Sequence, residues 1–196
     1  RVEDKPVAIC RLKRVAADNA DSIDAYMPEI PAEKNGKRVV CVGGGPASLT
    51  VARDLLPLGY HVTVIERDKQ SGGMMRSQIP SFRLPDRVLD EEVDRILDMG
   101  VEHRVGESVS SMKALLDEEY DAVFVGTGAP RGRDIDVPGR KEAAANIHVG
   151  IEWLMSVSFD HLDAVGKRVI VLGGGNTAMD CCRTAKRIGG EDVKVI

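Results

Sequence analysis

Two glycine-rich turns, each following a short apolar run, constrain the fold of this chain more than any other feature. The first apolar run, residues 39–42, precedes three glycines at residues 43–45, and apolar residues at helical spacing follow. Gly59 ends that helical pattern, and residues 61–65, most of which are β-branched, indicate a second strand. Unbroken β-branched runs indicate buried parallel strands, so the sequence predicts a strand, a turn, a helix and a strand.

This order of elements is typical of a dinucleotide-binding unit. Gly43 permits the tight turn, and Gly45 lets the backbone approach a pyrophosphate because it lacks a Cβ. The N-terminus of the helix offers free N–H groups and a partial positive charge to the same anion. Glu66 ends the second strand, where an acidic residue accepts hydrogen bonds from ribose hydroxyls. We therefore predict a dinucleotide site on this turn.

The pattern occurs a second time near the end of the sequence. Residues 169–172 form an apolar run that precedes glycines 173–175, and a helical pattern and a further strand follow. Ser48 and Ala178 occupy the third glycine position of the two copies, and both are small enough for close helix–strand packing. The position equivalent to Glu66 would be residue 197, so the sequence does not distinguish NAD from NADP.

Composition excludes several classes of protein. The formal net charge is −4 with both signs interspersed and no basic block, which argues against nucleic acid as a partner. No apolar run approaches the roughly eighteen residues that a membrane span needs. The start of the sequence carries charged residues and no signal-peptide pattern, and we expect a cytoplasmic protein.

Candidate catalytic and metal-binding residues are few. The cysteines form no C-x-x-C pair, and the histidines are scattered with no second ligand at metal spacing. We therefore predict no metal site, no catalytic residue and reduced structural thiols. The four cysteines are Cys10, Cys41, Cys181 and Cys182.

The chain divides into three predicted parts. Residues 1–35 are a helical segment with a proline-marked linker, residues 36–142 a first dinucleotide domain, and residues 143–196 the start of a second. The glycine-marked segment after Glu66 is a candidate to cover a ligand. The remaining pattern predicts helices at 86–99 and 112–116, strands at 101–105 and 122–125, and a largely helical stretch at 143–162, with Trp153 and Phe159 in the core or an interface. The predicted fold class is α/β with tandem Rossmann-like domains.

Seven motifs occur in an order that resembles one family. They are GGGPAS (43–48), ER (66–67), GGMM (72–75), IPSFRLP (79–85), GTGAP (126–130), VPG (137–139) and GGGNTAMD (173–180). Together they resemble the flavoprotein (small, beta) subunit of glutamate synthase. Relatives of that subunit are the NAD(P)H-side domains of dihydropyrimidine dehydrogenase and ferredoxin–NADP transhydrogenases. The resemblance covers nearly the whole chain, from about residue 6 to the end.

The resemblance implies two cofactors, FAD and NAD(P)H, and assigns residues to each. For FAD the implied residues are Gly43, Gly45, Pro46, Ala47, Ser48, Glu66, Arg67, Gly73, Met74, Thr127, Gly128 and Ala129. For NAD(P)H they are Gly173, Gly175, Asn176, Thr177 and Ala178.

The resemblance also implies an activity and partners. The family transfers hydride from NAD(P)H to FAD and electrons onward to an iron–sulfur centre or a larger catalytic subunit. Its iron–sulfur clusters lie in an N-terminal region or a partner and would not be ligated by this chain. The family's cysteine-rich domain and the return to the FAD domain have no counterpart in these residues. We therefore expect an incomplete portion of a longer protein.

Other functions remain open at this point. The chain could be a piece that binds FAD and catalyses nothing, because only part of the second unit is present. It could also be a dehydrogenase with a single cofactor, although none of its tyrosines has the Tyr-x-x-x-Lys spacing. A scaffold function rests only on the charged helix at residues 86–98, which is more typical of a solvated face.

Overall fold

A four-stranded parallel sheet forms the centre of the structure, a computed structural model that describes residues 6–196. Its strands are β1 (Arg38–Val42), β2 (His61–Glu66), β3 (Glu102–Val105) and β4 (Ala122–Val125). They lie in the order β3-β2-β1-β4, and each neighbouring pair is parallel. β1 and β2 are central and largely buried, in agreement with their content of β-branched and apolar residues.

Helices connect these strands and cover the sheet. They are α1 (Ile9–Asp18), α2 (Pro46–Leu55), α3 (Met74–Ser77), α4 (Asp86–Leu97), α5 (Met112–Leu116), α6 (Gly150–Ser158) and α7 (Asn176–Arg187). Short 3-10 turns lie at Asp24–Tyr26, Leu56–Leu58 and Ala144–Asn146. α2 crosses from β1 to β2 and ends in the 3-10 turn before Gly59, whose φ of +85° favours glycine.

The main core lies between the sheet and the crossover helix. Cys41, Val62 and Val64 from the strands pack with Ala52 and Leu56, and each is at most 2% exposed. Burial raises the pKa of the Cys41 thiol to about 11, which keeps it protonated and unreactive. The thiol of Cys41 is free, as expected for a structural cysteine.

A second parallel sheet contains only β5 (Arg168–Val171) and β6 (Asp192–Val195). α7 connects these two strands, and α6 packs against α7. Trp153, Leu154, Val171, Cys181 and Ala185 form the core of this part of the chain. The second glycine turn therefore lies between a strand and a helix, as the repeat predicted.

The stretch 143–162 differs from its prediction. Only the 3-10 turn at Ala144–Asn146 and α6 are helical, and Ile147 and Val149 between them are extended. Both are β-branched, which disfavours continuing a helix between the two pieces. Trp153 is buried as expected, whereas Phe159 is half-buried beyond the end of α6.

Two further observations concern the surface. Every residue of α1 is exposed, and its apolar residues Ile9, Leu12 and Val15 are each more than half exposed in the described chain. Over residues 6–196, none of the helices combines the length and the apolar character needed to cross a membrane.

Candidate functional site

Three loops meet at the carboxyl ends of the central strands. They are the glycine turn at 43–45 after β1, the segment 68–73 after β2, and the segment 126–129 after β4. Loops at this edge of a parallel sheet form the ligand crevice of doubly wound folds. The sequence predicted residues in all three loops, and the structure brings the loops together.

Gly43 and Gly126 bring two of these loops into backbone contact. Gly43 has a φ of +97°, and a Cβ on it would lie 2.6 Å from the carbonyl oxygen of Gly126. The N–H of Gly126 donates to the carbonyl of Val42 at 2.9 Å, which extends the β1–β4 ladder into the loops. Ser48 is fully buried on α2 beside Gly126. A small residue is therefore required at each of these positions.

The segment after β2 lies directly on the glycine turn. The N–H of Gly72 donates to the carbonyl oxygen of Gly44 at 2.8 Å. A Cβ on Gly73, which has a φ of +54°, would lie 2.8 Å from the Cα of Gly45. The predicted residue Gly73 therefore has a physical reason, because no side chain fits between the two backbones.

Glu66 is only 6% exposed and binds backbone groups of both loops. Its Oε2 accepts from the N–H of Gly44 at 2.6 Å, and its Oε1 accepts from the N–H of Asp68 at 2.9 Å. Each carboxylate oxygen can accept more than one hydrogen bond, so capacity for a ribose hydroxyl remains. Burial and the neighbouring Glu66 carboxylate raise the pKa of Asp68.

The sequence did not indicate the role of Ser71 and His103. Ser71 is 2% exposed, and its Oγ lies 2.8 Å from Nε2 of His103 on β3. Burial lowers the pKa of His103, while the carboxylates of Glu66 and Asp94 oppose that shift. The sequence offers no partner for His103, and the structure gives it one in Ser71. The signal was weak, since the two residues lie 32 positions apart.

Both glycine turns lead into helices with open N-termini. Gly45 precedes α2 and Gly175 precedes α7, and both have extended backbones with φ near −80°. Within the part of the chain that the structure describes, no side chain caps either helix. The first N–H groups of each helix are therefore available to an anion such as a phosphate.

The second turn is more open than the first. Gly173 has a φ of +118° and donates its N–H to the carbonyl oxygen of Ile196 at 2.7 Å. Nothing in the described chain lies within 4 Å of a Cβ placed on Gly174 or Gly175.

Exposure divides the predicted residues into two groups. The buried or half-buried ones are Gly43, Gly45, Ser48, Glu66, Gly73 and Ala178. The exposed ones are Pro46, Ala47, Arg67, Met74, Thr127, Gly128, Ala129, Gly173, Gly175, Asn176 and Thr177. The buried and half-buried residues shape the loops, whereas the exposed residues present atoms to solvent or to a ligand.

Residues predicted for the two cofactors meet at one small gap. The gap has a volume of about 160 Å³. Met74 and Gln78 line it from the segment around α3, and Asn176 and Thr177 line it from the start of α7. A larger cleft of about 420 Å³ is lined by Gln70, Arg76, Phe82 and Arg187 among others, and by none of the predicted site residues. Only the smaller of these two cavities is bordered by residues predicted for both cofactors.

Comparison with known proteins supports one family. The profile of the pyridine nucleotide-disulphide oxidoreductases matches residues 37–196. The beta subunit of NADP(+)-dependent formate dehydrogenase from Moorella thermoacetica is 36% identical over 98% of this chain and 28% of its own length. The small chain of NADPH glutamate synthase from Mycobacterium tuberculosis is 34% identical over 96% of this chain and 41% of its own length.

A third relative and one solved structure are also similar to this chain. The NAD-dependent dihydropyrimidine dehydrogenase subunit PreT homologue from Salmonella typhi is 36% identical over 95% of this chain and 45% of its own length. FprA from M. tuberculosis, solved in complex with NADPH, matches with a TM-score of 0.68 and 18% identity, over 81% of this chain and 43% of that chain. The chain thus spans less than half the length of each protein.

The four-stranded parallel sheet and its crossover helices form an α/β fold similar to that of FprA. More particularly, the chain belongs to the pyridine nucleotide-disulphide oxidoreductase family. The resemblance to the glutamate synthase flavoprotein subunit and to dihydropyrimidine dehydrogenase is confirmed.

Proposed function

We propose that this chain is the cofactor-holding part of a flavin-dependent NAD(P)H oxidoreductase. FAD would lie on the turn at Gly43–Gly45 and NAD(P)H on the turn at Gly173–Gly175. The observation that carries the proposal is the shared gap, where Met74 of the first site faces Asn176 and Thr177 of the second. Hydride transfer needs two cofactors within contact distance, and residues of both sites border this gap.

The residues of the first site fit a dinucleotide. The turn at 43–45 has no Cβ atoms, and the open N-terminus of α2 would hold a pyrophosphate. Glu66 would accept hydrogen bonds from the adenosine ribose, and Arg67 would lie at its exposed side. The loop Thr127–Ala129 and the residues Gly73 and Met74 would border the flavin side.

The second site would hold the other nucleotide through Gly173, Gly175, Asn176, Thr177 and Ala178. Bound together, the two cofactors supply the hydride chemistry, and the role of the protein is to orient them and to limit water. We therefore assign no catalytic acid or base and no metal to this chain.

The division of the chain belongs to the same proposal. Residues 36–142 would be the FAD domain, residues 143–196 the start of the NAD(P)H domain, and residues 1–35 the end of an iron–sulfur region. Electrons would pass to an iron–sulfur protein or a larger catalytic subunit, in the cytoplasm. The similarity to subunits of formate dehydrogenase and glutamate synthase supports a partner of this kind.

Two glycine substitutions test the two sites separately. Gly45→Ala keeps a backbone with φ −80° and meets its nearest neighbour at 3.8 Å, so the chain should fold. We expect the added methyl group to weaken FAD binding by at least roughly tenfold, or about 1.4 kcal/mol. Gly175→Ala should instead weaken NAD(P)H binding and leave FAD binding unchanged, with flavin absorbance and calorimetry as the measurements.

Purified chain that releases no flavin and takes up no added FAD would count against the proposal. A second candidate, an FAD-binding piece without activity, is favoured by the smaller second sheet, which has two strands against four in the first. Oxidation of NAD(P)H with an artificial electron acceptor would exclude this second candidate. Flavin binding without any turnover would support it.

A further inference from the structure

One partly buried ion pair joins the first half of the chain to α7. Nη1 of Arg83 donates to Oδ2 of Asp180 at 2.6 Å, across 97 positions of sequence. The side chain of Asp180 is 5% exposed and that of Arg83 is 38% exposed. Arg83 lies between α3 and α4, and Asp180 lies one turn inside α7.

The same segment contacts α7 at a second point. The guanidinium of Arg187 lies 3.8 Å from the ring centroid of Phe82. Asp180 and Arg187 are seven residues apart, which corresponds to about 10 Å along a helix. Two attachments at this separation fix both the position and the direction of α7 relative to residues 82–83.

The ion pair also borders the smaller gap, between the segment around α3 and the start of α7. Arg83 and Asp180 line it together with Met74 and Thr177. The second carboxylate oxygen of Asp180, Oδ1, is buried and has no hydrogen-bond partner among residues 6–196. A buried carboxylate with a single partner is a poor stabiliser, because well-packed apolar residues stabilise a fold at least as well. The position that the ion pair gives to α7 is therefore more informative than its contribution to stability.

We propose that Arg83 and Asp180 are positioning residues that fix the second nucleotide turn against the segment bordering the first. The pair acts through α7, whose N-terminus carries that turn, and the Phe82–Arg187 contact sets the direction of the helix. The consequence for hydride transfer rests on the proposed function. The mechanical role of the pair does not, and it can be measured without any cofactor.

Hydrogen exchange of the chain alone tests the mechanical role. Asp180→Asn and Arg83→Met should each raise amide exchange rates in α7 and in residues 79–84 by at least roughly tenfold. Exchange in β1 and β2 should stay unchanged. Arg83→Lys keeps the charge but loses the planar fork, and it should restore part of the protection. Glu92→Gln, in the exposed pair with Arg95, is the matched control and should change neither segment.

Flavin reduction tests the consequence for positioning. With both cofactors bound, the two pair-breaking variants should reduce flavin roughly 100-fold more slowly, because small displacements of reacting groups are costly. The affinities for FAD and NAD(P)H should remain those of the parent chain. A merely structural role would lower these affinities together with the rate.

The outcomes separate the two proposals. Unchanged exchange in α7, or faster exchange spread over both sheets, would overturn the positioning role, and so would an unchanged rate of flavin reduction. If the parent chain binds no cofactor, the proposed function fails, while the exchange experiment still decides whether the pair fixes α7.

Discussion

Gly43 shows how a single missing Cβ shapes the site. Its φ of +97° lies in the region that favours glycine, and its Cα faces the carbonyl oxygen of Gly126. The positive φ follows from the turn itself and was expected from the sequence. The contact with Gly126 was not expected, because Gly126 follows a strand that lies much later in the chain.

Gly43→Ala should therefore destabilise the chain for two reasons. The left-handed backbone costs an alanine about 1 kcal/mol, and overpacking against Gly126 adds about 1–3 kcal/mol. Gly36→Ala is the matched control, since Gly36 has a φ of +78° and nothing within 4 Å of an added Cβ in the described chain. We expect urea unfolding followed by circular dichroism to give the larger loss for Gly43→Ala. Equal losses would mean that the contact with Gly126 contributes nothing.

At the scale of elements, the segment after β2 is held in place by side chains as well as by backbone. Gly72 bonds to the glycine turn, and Ser71 bonds to His103 on β3. Arg76 of α3 donates to the carbonyl of Ser71 at 2.9 Å and pairs with Asp90 of α4 at 2.6 Å. The segment was predicted to be a loop covering a ligand, and the structure shows that part of it is the short helix α3.

The pKa of His103 makes the stability of this arrangement depend on pH. Burial lowers that pKa below the ordinary value of 6.5, so the unfolded chain binds more protons than the folded chain in the window between the two values. The free energy of unfolding should therefore fall as pH is lowered from 6.5 through the folded pKa. Urea unfolding across this window measures the slope.

His103→Gln should reduce that slope, because it removes the group that titrates. His161→Gln is the control, since His161 is exposed beyond the end of α6. A slope unchanged by His103→Gln would show that protonation of His103 does not oppose folding.

At the scale of the whole molecule, the two sheets have separate cores. Leu49 of α2 packs with Leu89 and Val93 of α4, and Leu154 packs with Trp153 and α7 near the second sheet. Each leucine is 2% exposed. Trp153 is the single tryptophan of the chain, so its fluorescence reports on the second core.

Unfolding should therefore respond differently to a cavity in each core. Leu154→Ala should lower the denaturation midpoint seen by Trp153 fluorescence, with a loss of about 2–5 kcal/mol. Leu49→Ala removes an equally buried leucine and should chiefly lower the midpoint seen by circular dichroism. Equal shifts of the fluorescence midpoint by the two variants would show that the cores unfold as one unit.

Much of the fold could be predicted because its signals are local. The strand at Ala122–Val125 and the helix at Met112–Leu116 have the predicted bounds. Other elements differ from their predicted bounds by one or two residues. For example, α4 ends at Leu97, whereas the prediction ended at residue 99. The stretch 143–162 was predicted less well, because its apolar composition does not show where the backbone becomes extended.

The candidate site was predictable where glycine chemistry determines it. The sequence predicts Gly43, Gly45 and Gly73, and the close backbone contacts of Gly43 and Gly73 give two of them a packing reason. The assignment of nucleotides to these residues stays a prediction, to be tested by the glycine variants. Ser71 and His103 could not be found, since neither belongs to a motif.

The sequence alone determined the two strand–turn–helix–strand units. The periodic spacing of apolar residues and the backbone conformation of glycine both depend on residues that are close together in the sequence. It also determined the family, through motifs whose order is visible without a structure. Only the tertiary structure decided which loops share the edge of the sheet, that Ser71 meets His103, and that Arg83 meets Asp180. These contacts join residues 32 and 97 positions apart, and they exist because strand order and helix crossovers bring distant segments together.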